Sequence, residues 1–257
     1  KNYGLRIESP KPEDYVFGAY SILPTVVLQE NGQWDEFLPT KEAQNLNRIE
    51  TQACVSFGTL SVLEVLLNKL YKISINFSDR WLAKTSNTDP TGGNSPNQVA
   101  ETLRKLGTPL QERWDFGSDI TNVQKFYENP PTKLFDYARE DFLDKYSFLH
   151  EFVPTDKESL KKALKYGPIG VAVTAWFQQG SGIYYSPSQF GNNHWCLLYG
   201  YDDSKQAWKI FDSYDNFTKL YSYDSLISVA KRFYIKKKEV NEKRNWFCDL
   251  LRSIKVL

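Results

Sequence analysis

The sequence predicts an α+β fold, with helices gathered in the first half of the chain and antiparallel strands in the second. Three observations carry this reading. Residues 54–71 form an apolar run of helical length, with apolar side chains on nearly every side. From residue 169 onward, apolar and polar residues follow a period of two in five short segments. Asp202-Asp203-Ser204-Lys205 separates two of those segments by a hairpin-sized turn.

Residues 1–44 read as irregular, and the first 39 as an N-terminal crossover, because Pro10, Pro12, Pro24 and Pro39 break any period. Val26-Val27-Leu28 is a candidate for a short strand within it. The run 54–71 reads as a helix buried between other elements, with Thr51 as its cap and Cys54 in its first turn. Residues 87–96 carry Asn, Asp, Pro and Gly-Gly and read as a loop. An amphipathic helix follows over 97–106, closed by Gly107. Helical turns over 120–146 break at Pro130-Pro131, and a capped helix covers 156–165. Strands are expected at 169–174, 196–201, 207–211, 219–223 and 232–236. His150, in 148–152, reads as part of a surface crossover without a role. Residues 241–255 read as a terminal helix with Trp246, Phe247, Leu250, Leu251 and Ile254 on one side.

The 32 basic and 31 acidic side chains leave a net charge of +1, so no long-range field favours nucleic acid or a membrane surface. No 18-residue stretch is uniformly apolar, so no spanning helix is expected. The first residues lack the pattern of a signal peptide, and the absence of Met reads as a processed or trimmed chain. Three cysteines, Cys54, Cys196 and Cys248, are too few and odd for a disulfide framework. Reduced thiols point to a cytoplasmic or virion-associated setting. No Cys/His cluster has metal-ligand spacing and no phosphate-binding Gly loop is present, so no cofactor or metal is expected.

Thiol chemistry needs a nucleophile, a base and a group that orients the base. Cys54 heads the apolar helix, where the partial positive charge of the N-terminus lowers a thiol pKa. The chain has two His, so His194, at the head of a strand, is the leading base. Asp212, one hairpin later, is placed to accept the other ring N–H. His194 follows Cys54 by 140 residues, inside the roughly 130–150 spacing of the papain type. Cys196 lies on the same side of its strand as His194 and reads as core.

Five strings in order resemble the papain-like cysteine peptidases. Thr51-Gln52-Ala53-Cys54-Val55-Ser56-Phe57 resembles the nucleophile segment, and Thr91 to Pro96 the Gly-Gly loop. Gly167-Pro168-Ile169-Gly170-Val171-Ala172-Val173 resembles the strand that walls the substrate cleft. Asn193-His194-Trp195 resembles the base strand, and Phe211-Asp212-Ser213-Tyr214 the segment of the third triad member. The resemblance covers residues 40–236 and implies a two-lobed fold, with a helical lobe at 40–118, a β-rich lobe at 119–238 and the site in the cleft between them. Residues 1–257 then form a single catalytic domain, with an extra helix within 239–257.

The resemblance further implies peptide or isopeptide hydrolysis through a thioester, with Cys54, His194 and Asp212 as the triad. Gly92, Gly93, Ala172 and Trp195 are expected to line the substrate site, Gly93 pairing with the substrate backbone. Departures are specific. Val55 stands where the family has Trp, Asp212 where it has Asn, Tyr214 where it has Trp, and Thr51 replaces a disulfide Cys. Arg48 occupies the position of the oxyanion Gln. Gln44 is the favoured substitute, with Asn45, Asn47 and Gln52 nearby. Trp195 is expected to restrict the second substrate pocket. The strings look most like bacterial or phage-encoded members. A non-catalytic module of the same fold, or an acyltransferase or deamidase with the same triad, are the alternatives.

Overall fold

A computed structural model describes residues 2–19, 21–177, 181–187 and 189–239. Among the described residues, all the helices but one precede the strands. α1 (Cys54–Tyr71) is the central one, and its whole first turn is buried. It is long and apolar enough by composition to cross a membrane, contrary to the sequence reading, but most of it is buried inside the protein as a core helix. Ala53 precedes it without a side-chain cap. Thr51, the expected cap, instead donates its hydroxyl to the Gln44 carbonyl at 2.8 Å and ties down the preceding loop.

α2 (Asp79–Thr85) and α3 (Pro96–Leu106) are both capped by a serine side chain, Ser78 and Ser95, with Pro96 at the first position of α3. α4 (Val123–Phe126), α5 (Lys133–Ala138) and a π-helical turn at Arg139–Leu143 follow. α6 (Lys157–Leu164) starts at the Asp156 cap.

Seven strands, β1 (Tyr146–Phe152), β2 (Ile169–Val173), β3 (Ile183–Tyr184), β4 (His194–Asp202), β5 (Ala207–Phe211), β6 (Thr218–Ser222) and β7 (Ala230–Lys237), form one sheet. Its order is β1-β7-β2-β4-β5-β6-β3, antiparallel throughout except at β3–β6. β1 corrects the crossover expected around His150: the segment pairs with β7, Leu149 opposite Tyr234. Its polar residues hide the strand pattern because they are paired, buried Glu151 on Arg232 at 2.6 Å and half-buried His150 on Glu101 at 2.9 Å. Val26-Val27-Leu28 is not a strand. The expected helix at 241–255 lies outside the described residues.

One continuous buried cluster joins α1 to β2, β4, β5 and β7. Trp195 is the wedge at this junction. Its indole is fully buried and lies over Gly170 of β2, where a Cβ would stand 2.3 Å from the ring. Close packing of α1 on β4 brings the helix start to the strand start, which is where the candidate residues lie.

Candidate active site

Cys54 is the first residue of α1 and is fully buried. Burial pushes its thiol well above the ordinary range, outweighing a backbone hydrogen bond from Trp195, and Asp212 and Glu50 add to the rise. The sequence expectation of a lowered thiol is therefore not met in this covered state: desolvation exceeds the pull of the helix terminus. The bond from Trp195 nevertheless fixes the sulfur beside the residue that follows His194.

His194 opens β4 opposite Val173 of β2. Its Nε2–H donates to Asp212 Oδ1 at 2.6 Å, and both side chains are wholly buried. Its Nδ1 is buried and has no hydrogen-bond partner among the described residues. Asp212 follows β5 directly. Burial pushes its carboxyl up, but the His194 ring and the Lys219 ammonium prevail and hold it below the usual range. Lys219 Nζ and Trp176 Nε1 each reach Asp212 Oδ2 at 2.8 Å. Sequence reasoning missed both, since neither belongs to a local motif; Lys219 sits in an alternating strand where a Lys ordinarily faces solvent.

Cys196 lies 3.6 Å from Asp212 Oδ1, and burial raises its thiol, the Asp212 charge adding to the rise. One donor atom from each of His194, Cys196 and Asp212 lies within 4.8 Å of the other two, the one group of metal-binding size among the described residues. His194 and Asp212 already bond each other, and the Lys219 ammonium sits on the other oxygen of Asp212, so the group suits proton traffic better than a cation.

The amides separate clearly. Gln44 is fully buried, and its Nε2 donates to the Tyr3 carbonyl at 3.1 Å and the Tyr214 hydroxyl at 2.9 Å. Its Oε1 accepts from Ser213 Oγ at 2.7 Å, beside Asp212. Asn47 is turned away onto the carbonyls of Gly117 and Ile120. Gln52 is buried in a left-handed conformation with its Oε1 unpartnered among the described residues. Arg48 is exposed.

The N-terminal segment is more than a crossover. Residues 2–6 run as a strap over the site. Tyr3 N donates to the Asn193 carbonyl at 3.0 Å, Asn94 N to the Gly4 carbonyl at 2.9 Å, and Arg6 N to the Asn94 carbonyl at 2.8 Å. Leu5 pairs with Asn94 as a parallel bridge and is buried. The Tyr3 ring stands edge-on to the His194 ring at 5.6 Å. The Glu8 carboxylate accepts from the Asn97 N–H at the start of α3. Backbone contact is so close that a Cβ on Gly93 would lie 1.9 Å from the Gly4 carbonyl. Gly93 itself closes a turn with Asp89, at 2.8 Å and 3.1 Å, and Asn94 makes the backbone pairing with the strap. Gly92 accepts from the Asn2 side chain at 3.3 Å. Ala172 and Trp195 face each other across β2 and β4 in the interior, both fully buried.

No protein-family model matches the chain and no curated protein matches its sequence. Solved structures match its fold. Xylellain, a cysteine protease from Xylella fastidiosa, superposes with a TM-score of 0.64 at 16% identity, over 93% of this chain and 97% of that one. The chain has the papain-like fold. Bromelain from Ananas comosus, in complex with the E64 inhibitor, gives a TM-score of 0.59 at 16% identity, over 80% of this chain and 98% of that one. The clostridial cysteine protease Cwp84 gives 0.63 at 20% identity, over 80% and 57%. At these identities the likeness speaks for the papain-like fold alone, and the chemistry rests on the residues.

Proposed function

We propose that this chain is a cysteine-type peptidase in which Cys54 attacks, His194 moves the proton and Asp212 orients the ring. One observation carries the reading. His194 spends Nε2 on a buried carboxylate and keeps a buried, unpartnered Nδ1, while the next residue holds the Cys54 sulfur. In that arrangement Nδ1 takes the thiol proton, the thiolate adds to the scissile carbonyl, and the imidazolium returns the proton to the leaving amine. Water then cleaves the thioester. The N–H of Cys54, free of an intrahelical partner at the helix start, and Gln44 Nε2 are the donors for the oxyanion. Gln44 already donates to a main-chain carbonyl, that of Tyr3, which supports its reach into the cleft. A polypeptide is the substrate class. The strap covers the residues that would react, so activity requires its displacement.

The second reading is a non-catalytic module, favoured by the raised thiol and the covered site. Gly4→Val separates the two. At φ +110° and with a Cβ 2.1 Å from the Gln52 carbonyl, residue 4 accepts no side chain in place, so this variant expels the strap. We expect iodoacetamide to label Cys54 at least about tenfold faster in the variant near pH 7, with peptidase activity that Cys54→Ala abolishes. Labelling no faster than that of an unactivated thiol, with no cleavage of a peptide library, would reject the enzyme.

A further inference from the structure

Asp212 does not meet His194 as a bare carboxylate. Oδ1 accepts from His194 Nε2 at 2.6 Å and Ser213 N at 2.7 Å, with Cys196 Sγ at 3.6 Å. Oδ2 accepts from Trp176 Nε1 and Lys219 Nζ, each at 2.8 Å. The Lys219 ammonium is itself almost fully buried and also donates to the carbonyls of Asp215 at 2.8 Å and Asn216 at 2.6 Å. Those three acceptors use all of its donors. Behind the imidazole there is thus a buried pair of opposite charges, fixed at both ends.

We propose that Lys219 is a positioning residue that compensates the Asp212 charge, so that His194 faces a nearly neutral acceptor. The inference rests on the roles of His194 and Asp212 proposed above. A lone buried carboxylate at this distance favours the protonated ring by one to three pH units. An imidazolium held that tightly is a poor acid toward a leaving amine. The Lys219 charge opposes this, and leaves the ring able both to take a proton and to release it. The other titratable groups around His194 are Cys54 from α1, Cys196 from β4, Tyr214 behind Asp212, the Tyr3 ring of the strap, and Glu50, which accepts from the Tyr214 hydroxyl at 2.7 Å. Among the described residues, Lys219 is the cation that touches the pair.

The test is an NMR titration of the His194 ring in the full chain, assigned with His150→Gln. Lys219→Met should move the midpoint up by about one to two pH units. Lys219→Arg, and the double change Asp212→Asn with Lys219→Met, should return it to within about half a unit of the parent. An unmoved midpoint in folded Lys219→Met would overturn the proposal, as would a double variant displaced as far as the single one. Should Lys219→Met not fold, Asp212→Asn alone decides: the ammonium then faces the ring without its counter-ion, and the midpoint must fall. None of these readings uses a substrate, so a failure of the peptidase proposal, seen with Gly4→Val, stays separate from a failure of this one. If both hold, the alkaline limb of the peptidase pH profile moves up with the ring in Lys219→Met.

Discussion

Two lysines are buried in this sheet, and their electrical surroundings are opposite. Lys219 on β6 has a direct counter-ion in Asp212 at 2.8 Å. Lys231 on β7 is fully buried with no carboxylate at ion-pair distance among the described residues. Its ammonium donates to Asn97 Oδ1 at 3.0 Å and stands 3.5 Å above the Phe152 ring. Burial pulls it down to about 8. His150 lines the same cavity of about 330 Å³ and is pulled down to about 4, by burial first and by the Lys231 charge second. Among the described residues, no carboxylate at ion-pair distance offsets the burial of Lys231, and at His150 the Glu101 carboxylate 2.9 Å away is outweighed by burial and the Lys231 charge.

The largest effect should come from breaking the paired lysine. Lys219→Met strands the Asp212 charge in the interior and should cost about 3–5 kcal/mol in urea unfolding at pH 7. Lys231→Met removes a group that burial already disfavours, and should change stability by less than about 1 kcal/mol or raise it. Equal losses in the two variants would break the comparison.

The unpaired lysine should then appear in the pH dependence. The folded value, about 8, lies below the unfolded value of about 10.4, so between them the unfolded chain holds more protons. Stability should rise with pH across that window, by up to about 3 kcal/mol, and Lys231→Met should lack the rise. Thermal unfolding between pH 7.5 and about 10.5 reads this directly. An effect of similar size belongs to His150. Its folded value of about 4 lies below the unfolded value of about 6.5, so stability should fall as pH drops through that interval. His150→Gln should remove up to about 3 kcal/mol of that fall; a slope unchanged by the substitution would assign it to other groups.

Much of the fold was legible because it rests on local period. α1 and α3 carry strong apolar patterns, and β2, β4 and β5 are short, mostly apolar runs bounded by turn residues. α2 escaped notice because seven residues give too few turns for a pattern. β1 escaped because its half-buried His150 and buried Glu151 look like surface residues until Glu101 and Arg232 are brought to them. Cys54, His194 and Asp212 could be singled out by residue type and spacing, and the structure brings the Cys54 sulfur to the strand that His194 opens. Lys219, Trp176 and the strap could not. Their contacts depend on tertiary placement, and Tyr3, Gly4 and Leu5 carry no period that betrays a backbone laid against Asn94.

The strap belongs to the same polypeptide as the groove it fills. A tethered occupant is present at an effective concentration that dissolved peptides rarely reach. Opening is then a first-order event, independent of how much protein is in solution. Dilution will not unmask the sulfur; only an event acting on residues 2–8 themselves, such as cutting, pulling or capture by another surface, can shift the balance.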